Sequence, residues 1–266
     1  MKLELDKYYT PREIAVYCTQ QAVNVIGREN ITDVLEPSIG NGSFITDVIK
    51  INKGIDIDPQ IVCSDIEIIK GDYLTTDIPY KEGRLILGNP PYGRCLNLAQ
   101  KFYDKSVDIA DYIGFILPIS QLNNTRSMYK FDLVLSIDLG AEVYTDRTLH
   151  CCFNVYARPK NGLNKKPTTK SNNIRIIRQD SKTYEDEPYD IRMCYWGNGS
   201  AGKILEPQEH YSAEYKIQIL NSEYKQQIVD VLTTFDWKEY LNCIAMRKIQ
   251  QFHIIDVLRA NIKGFE

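Results

Sequence analysis

The chain is poor in the residues that build metal and disulfide sites. It has three histidines, and its seven cysteines are an odd set with no Cys-x-x-Cys pair. Neither a disulfide framework nor a zinc ribbon organises such a sequence. His150 stands beside Cys151 and Cys152, but neighbouring residues of a strand point to opposite faces. These cysteines read as small hydrophobes, and no metal is expected. Long apolar runs are missing as well. The strongest, Ile113–Ile119, is broken by Pro118 and falls far short of the ~20 residues of a membrane helix. The opening MKLELDKYY lacks the apolar centre of a secretory signal, so a cytoplasmic protein without membrane contact is expected. What is present, 43% hydrophobic and 25% charged residues over 266 positions, suits a globular catalytic core with an appendage.

The net charge of −3 conceals an asymmetry: residues 1–159 carry 16 basic and 21 acidic groups, residues 160–266 carry 16 and 14. Within this, Arg158, Lys160, Lys165, Lys166, Lys170, Arg175 and Arg178 follow one another with no acid between them. Such an arm either neutralises phosphates or is a solvated linker. It also marks the boundary between the two expected domains, 1–159 and 160–266.

Thr10-Pro11-Arg12-Glu13 has the form of a capping box opening a helix, which Gly27 ends. Short apolar segments then alternate with helical ones. Strands are predicted near Val34–Pro37, Gly54–Ile57, Ile66–Ile69, Leu85–Gly88, Tyr112–Leu117, Leu133–Leu139 and His150–Ala157. Helices are predicted at Gly42–Ile51, Leu96–Ala110 and Ser120–Tyr129. This alternation predicts an α/β fold: a doubly wound, mostly parallel sheet, with an antiparallel edge strand because the last two strands have no helix between them. Beyond residue 160 the pattern becomes a small α+β region with helices near Ser222–Leu232 and Lys238–Ala260. The stripe Ile244, Ile249, Phe252, Ile255, Leu258 is expected to be core.

Four short motifs stand at the carboxyl ends of the first four strands. Glu36-Pro37-Ser38-Ile39-Gly40-Asn41-Gly42 combines an acid able to bind an amino group with glycines that let backbone approach a ligand. Gly54-Ile55-Asp56-Ile57-Asp58-Pro59 presents a carboxylate suited to two ribose hydroxyls. Lys70-Gly71-Asp72-Tyr73 offers an acceptor for an exocyclic amine and a ring to flank a base. Gly88-Asn89-Pro90-Pro91-Tyr92-Gly93 is the most specific. Its prolines stiffen the chain and leave the Pro90 carbonyl to accept beside Asn89, and Tyr92 adds a flat face: a clamp for a planar amine.

In this order the motifs resemble those of the S-adenosylmethionine-dependent amino-methyltransferases, most closely the adenine-N6 DNA methyltransferases with an Asn-Pro-Pro-Tyr motif. The resemblance covers about residues 7–158, and Lys7-Tyr8-Tyr9-Thr10-Pro11 looks like that family's N-terminal cofactor segment. It implies a Rossmann-like methyltransferase fold followed by a target-recognition region. It further implies that Tyr9, Thr10, Pro11, Glu36, Ser38, Gly40, Gly42, Asp56, Ile57, Asp72, Tyr73 and Asn89 surround S-adenosyl-L-methionine. Asn89, Pro90 and Tyr92 would act on an adenine flipped out of double-stranded DNA. Tyr144 and Phe153 compete for the second aromatic against the base, and the segment between Phe44 and Lys53 is short for the family's first helix. The same clamp serves RNA adenine and protein glutamine methylation, and a catalytically silent DNA-binding subunit is the rival of another class. A restriction endonuclease partner and a monomer or homodimer fit the resemblance.

Gly197-Asn-Gly-Ser-Ala-Gly202-Lys203 matches a P-loop pattern, but Ile204 replaces the required Ser or Thr. With Trp196 it is either a plain surface turn or a loop touching DNA backbone through Lys203, alongside Lys165, Lys166 and Lys170.

Overall fold

A computed structural model describes residues 9–144, 147–168, 170–179, 185, 187–197, 199–237 and 248–265. The chain forms two compact units, Met1–Lys166 and Pro167–Glu266, so the division falls inside the basic arm.

In the first unit, strands β1 (Asp33–Glu36), β2 (Lys53–Asp56), β3 (Glu67–Lys70), β4 (Arg84–Gly88), β5 (Tyr112–Pro118), β6 (Asp132–Tyr144) and β7 (Arg147–Ala157) form one sheet. Their order is β3-β2-β1-β4-β5-β7-β6. All pairings from β3 to β5 are parallel, whereas β7 runs antiparallel to both β5 and β6. The expected antiparallel pair is thus present, with reversed β7 lying one place inside the edge. The doubly wound Rossmann-like sheet is covered on both faces. Helix α1 (Arg12–Ile26) packs Ala15, Cys18 and Ala22 into one apolar cluster, and α2 (Asn97–Ile109) packs Ala99, Phe102 and Tyr103 into the other. Cys151 and Cys152 are both buried and belong to opposite clusters, as strand alternation requires.

Three local expectations fail. Helix α1 starts behind Pro11 with no side-chain cap; Thr10 instead accepts a hydrogen bond from Asn89 Nδ2 at 3.2 Å. Residues 42–51 hold no helix. Gly40 and Gly42 take φ of +47° and +78°, a region open to glycine. Phe44, Ile49 and Ile51 are then buried along an irregular path. Ile39 lies so close over β2 that a Cβ on Gly54 would stand 2.2 Å from it. Ser120–Tyr129 is reduced to one turn of 3-10 helix at Ile119–Gln121. Asn123 is left-handed at φ +51° and Asn124 accepts from Arg126 N through its side chain at 3.0 Å. Asparagines prefer such local bonds to helix.

The second unit holds an antiparallel sheet of β8 (Ile174–Arg178), β9 (Ile191–Cys194) and β10 (Glu214–Ile219), with β10 central, and helices α3 (Lys225–Thr234) and α4 (Gln251–Asn261). Ile249, Phe252, Ile255 and Leu258 are buried there; Ile244 and residues 238–247 of the expected final helix lie outside the described residues. Inside this unit Arg192 and Glu214 form a buried pair at 3.3 Å.

Candidate active site

In a doubly wound sheet ligands bind beyond the carboxyl ends of the strands where the strand order reverses. Here that point lies between β1 and β4, since β2 and β3 extend one way from β1 and β5 extends the other way from β4. β1 ends at Glu36 and β4 at Gly88, so the first and fourth motifs meet at the crevice. The second and third follow on β2 and β3.

A cleft opens there. Tyr9, Ser38, Gly40, Asp56, Ile57, Asp72, Tyr73, Asn89, Pro90 and Tyr92 all line it. Asp58 and Phe102 also line it and were not anticipated; the Asp58-Pro59 turn signal concealed the first, and the helical apolar spacing of α2 concealed the second.

The Asp56 carboxylate accepts from Gly40 N and from Asp58 N, each at 2.8 Å. One side chain thereby holds both loops of the crevice. Asp72 accepts from Leu74 N at 2.9 Å. Tyr9 lies against Gly40, where a Cβ would come within 3.1 Å of its ring. Glu36 sits just beneath this surface. It is 2% exposed, and its Oε2 has no hydrogen-bond partner among the described residues. Burial, and secondly the nearby Asp56 carboxylate, push the Glu36 carboxyl well above the usual range.

Asn89 is set from two directions. Its amide Nδ2 donates to Thr10 Oγ1 at 3.2 Å, and its backbone carbonyl accepts from Ser38 Oγ at 3.0 Å. With the amide nitrogen turned to Thr10, Oδ1 takes the opposite side. No described backbone N–H donates to the Pro90 carbonyl. Tyr92 lines the cleft and its hydroxyl reaches the buried Cys151 Sγ at 3.6 Å. The turn closes through left-handed Gly93, Cys95 and Leu96, at φ 66°, 53° and 66°.

Several expected roles do not match the positions found. Tyr73 is 1% exposed, stacked on Phe102 at 5.0 Å with its hydroxyl on Ser106 at 2.8 Å; its ring serves the core, because it points toward α2. Tyr144 and Phe153 are both fully buried in the cluster on the α1 side, so neither face is presented to a base. Gly42 is directed at Ile45 and Ile61 and does not line the cleft. Thr10 and Pro11 stand outside the lining, Thr10 acting through Asn89. Lys7 and Tyr8 lie outside the described residues.

The basic arm is also divided. Arg158 pairs with Asp111 at 2.8 Å and lies 4.8 Å over the Phe131 ring, and Arg175 makes a two-pronged pair with Glu187 at 2.8 and 2.9 Å. Arg178 donates to the Tyr195 hydroxyl at 3.2 Å. Lys160, Lys165, Lys166 and Lys170 are exposed. In the second unit Trp196 is 56% exposed, but Lys203 is engaged by Glu209, which cancels the charge it was expected to offer a phosphate.

No protein-family model matches the chain. The type II methyltransferase M.CvrRI of Paramecium bursaria Chlorella virus XZ-6E is 28% identical over 48% of this chain and 40% of its own length. The type II methyltransferase M.HincII of Haemophilus influenzae is 30% identical over 46% of this chain and 26% of its own length. The chain thus spans less than half the length of these relatives. Among solved structures, a type I restriction-modification system methyltransferase subunit from Streptococcus thermophilus is similar at a TM-score of 0.43 and 14% identity, over 86% of this chain and 54% of that one. Magnesium protoporphyrin IX methyltransferase from Synechocystis PCC 6803, with bound SAM, is similar at 0.37 and 10% identity, over 58% and 86%. At such scores the likeness adds nothing to what the strand order already states. Both sequence relatives are type II methyltransferases.

Proposed function

We propose that the Met1–Lys166 unit is an S-adenosyl-L-methionine-dependent methyltransferase acting on the exocyclic N6 amine of adenine in DNA. The observation that carries this reading is that Asn89, Pro90 and Tyr92 line the cleft at the strand-order reversal together with Asp56 and Asp72.

The cleft fits the cofactor. Asp56 and Asp72 supply carboxylates at the ends of β2 and β3 for a ribose and an adenine amine. Tyr9 covers Gly40, and Glu36 offers an unpartnered carboxyl oxygen near Asp56 for an ammonium group. When bound, the cofactor supplies an electrophilic methyl group on a sulfonium.

The residues of the chain then solve a problem of nucleophilicity. An aromatic amine shares its lone pair with the ring. Asn89 Oδ1 and the Pro90 carbonyl accept its two N–H groups, which returns electron density to nitrogen. As nitrogen becomes cationic during attack these bonds strengthen, so the clamp favours the transition state over the ground state. Tyr92 supplies the plate on which a flipped base stacks. Thr10 and Ser38 hold Asn89 in register, and geometry of that kind is worth orders of magnitude in rate.

DNA as substrate is supported by the relatives named as type II methyltransferases and by the exposed Lys160, Lys165, Lys166 and Lys170. We assign target recognition to the Pro167–Glu266 unit. Among the described residues no helix is long and apolar enough to cross a membrane. The test is incubation of the chain with labelled S-adenosylmethionine and unmethylated DNA, followed by hydrolysis. N6-methyladenine as the labelled nucleoside supports the assignment; label in N4-methylcytosine, or none in DNA, refutes it.

A further inference from the structure

On the other side of Tyr92 lies a second cavity, lined also by Gly93, Leu96, Pro118, Gln121 and Leu149. Tyr92 is the wall it shares with the first cleft. β5 ends at Pro118 and the turn Ile119–Gln121 follows, so Gln121 stands at the carboxyl end of the strand paired with β4, whose own end carries Asn89.

Gln121 is 8% exposed, and its side-chain amide is held at one end. Nε2 lies 3.4 Å from Ser120 Oγ, and Oε1 is buried with no hydrogen-bond partner among the described residues. Turning the amide by half a revolution keeps its shape. Oε1 then accepts from the Ser120 hydroxyl, and the orphaned atom becomes an N–H donor. The backbone beneath is firmly held. Asn154 Nδ2 donates to the Gln121 carbonyl at 2.8 Å, and fully buried Asn154 is itself fixed by Ser136 Oγ at 2.7 Å and by the Tyr156 hydroxyl at 3.0 Å. A buried polar atom left without a partner costs stability. Gln121 itself lines the cavity from a rigid support, which suits a side chain kept for a ligand.

We propose that Gln121 is a specificity-determining residue that donates from Nε2 to a ring nitrogen of the acceptor base, beside the amine held by Asn89. This rests on the function proposed above and deepens it. Adenine and cytosine carry an unprotonated ring nitrogen next to the exocyclic amine on their Watson–Crick edge, whereas guanine turns an N–H to that edge and an acceptor, N3, to the other side of its amine. Gln121 therefore favours a base whose amine is presented with a ring acceptor, and not an N–H, on the side toward Gln121, while the space beyond Tyr92 houses the ring.

The test uses the full chain with Gln121→Leu, which removes both polar atoms at similar volume, and Gln121→Glu, which keeps the shape but replaces the donor by an acceptor. Both should lower kcat/KM for unmethylated DNA by roughly tenfold to a hundredfold. Affinity for S-adenosylmethionine, measured by calorimetry without DNA, should be unchanged, and Gln121→Leu should unfold at a temperature no lower than the parent. Activity within about twofold of the parent in either variant, or a loss that tracks a fall in unfolding temperature or cofactor affinity, overturns the proposal. A parent chain that transfers no methyl group to DNA removes the functional reading itself, and this inference with it.

Discussion

At Asn89 the two ends of one amide do different work. The nitrogen is committed to Thr10 at 3.2 Å, which fixes the orientation of the oxygen that the proposed clamp uses. Thr10 thus matters through orientation. Thr10→Val keeps the shape and removes the acceptor, so methyl transfer should slow by about tenfold, mainly in kcat, with cofactor affinity little changed; a rate equal to the parent's would detach Thr10 from the clamp. Glu36 gives a second residue-scale prediction. Burial, then Asp56, holds its folded-state carboxyl well above the ordinary range. The folded chain therefore retains a proton that the unfolded chain releases. Stability accordingly falls as pH rises from the ordinary glutamate range toward the raised folded value. Glu36→Gln copies the protonated form and removes that slope. At neutral pH the variant should melt higher, by about 2–4 °C for each kcal/mol relieved, while binding S-adenosylmethionine more weakly. A melting temperature unchanged across the pH range would contradict the buried, unpartnered state of this group.

At the scale of elements, the longest strand pair, β6 with β7, carries the aromatics expected at the base, and both have turned inward. Phe153 packs over Gly114, whose added Cβ would stand 3.1 Å from the ring. Phe153→Leu should therefore cost about 1–2 kcal/mol of stability and leave KM for DNA unchanged. The reverse pattern, a raised KM at parental stability, would restore the stacking role. The strands were legible in the sequence because each is a short apolar run ending in turn chemistry, and the sheet order makes their ends converge. The helix expected at Gly42–Ile51 was not, because its apolar residues supply the same burial from an irregular path once Gly40 and Gly42 take left-handed backbone. Strand alternation decided which face Cys151 and Cys152 take, but not that Cys151 would back the Tyr92 hydroxyl. Gln121 carried no sequence signal at all: its significance is a buried amide at a cavity wall, a property of the fold.

At the scale of the whole molecule, the basic arm that stands out in the sequence shrinks in the structure. Asp111 and Glu187 occupy Arg158 and Arg175, and Glu209 occupies Lys203. Among the described residues of the arm, Lys160, Lys165, Lys166 and Lys170 are exposed. Neutralising Lys165, Lys166 and Lys170 together should reduce the slope of log affinity for DNA against log salt by about 2.7, whereas Lys203→Ala should leave the slope nearly unaltered. An intact slope in the triple variant would return the arm to the status of a linker.

In the proposed function a proline-stiffened turn presents paired oxygens to an exocyclic amine beside a cofactor cleft. Comparing the parent chain with Asn89→Ala tests it most directly, by quantifying N6-methyladenine formed in unmethylated DNA while cofactor affinity is measured in parallel. Expected are product from the parent, a loss of at least about a thousandfold in the variant, and cofactor binding preserved in both. Product formed by Asn89→Ala at a rate near the parent's would contradict it.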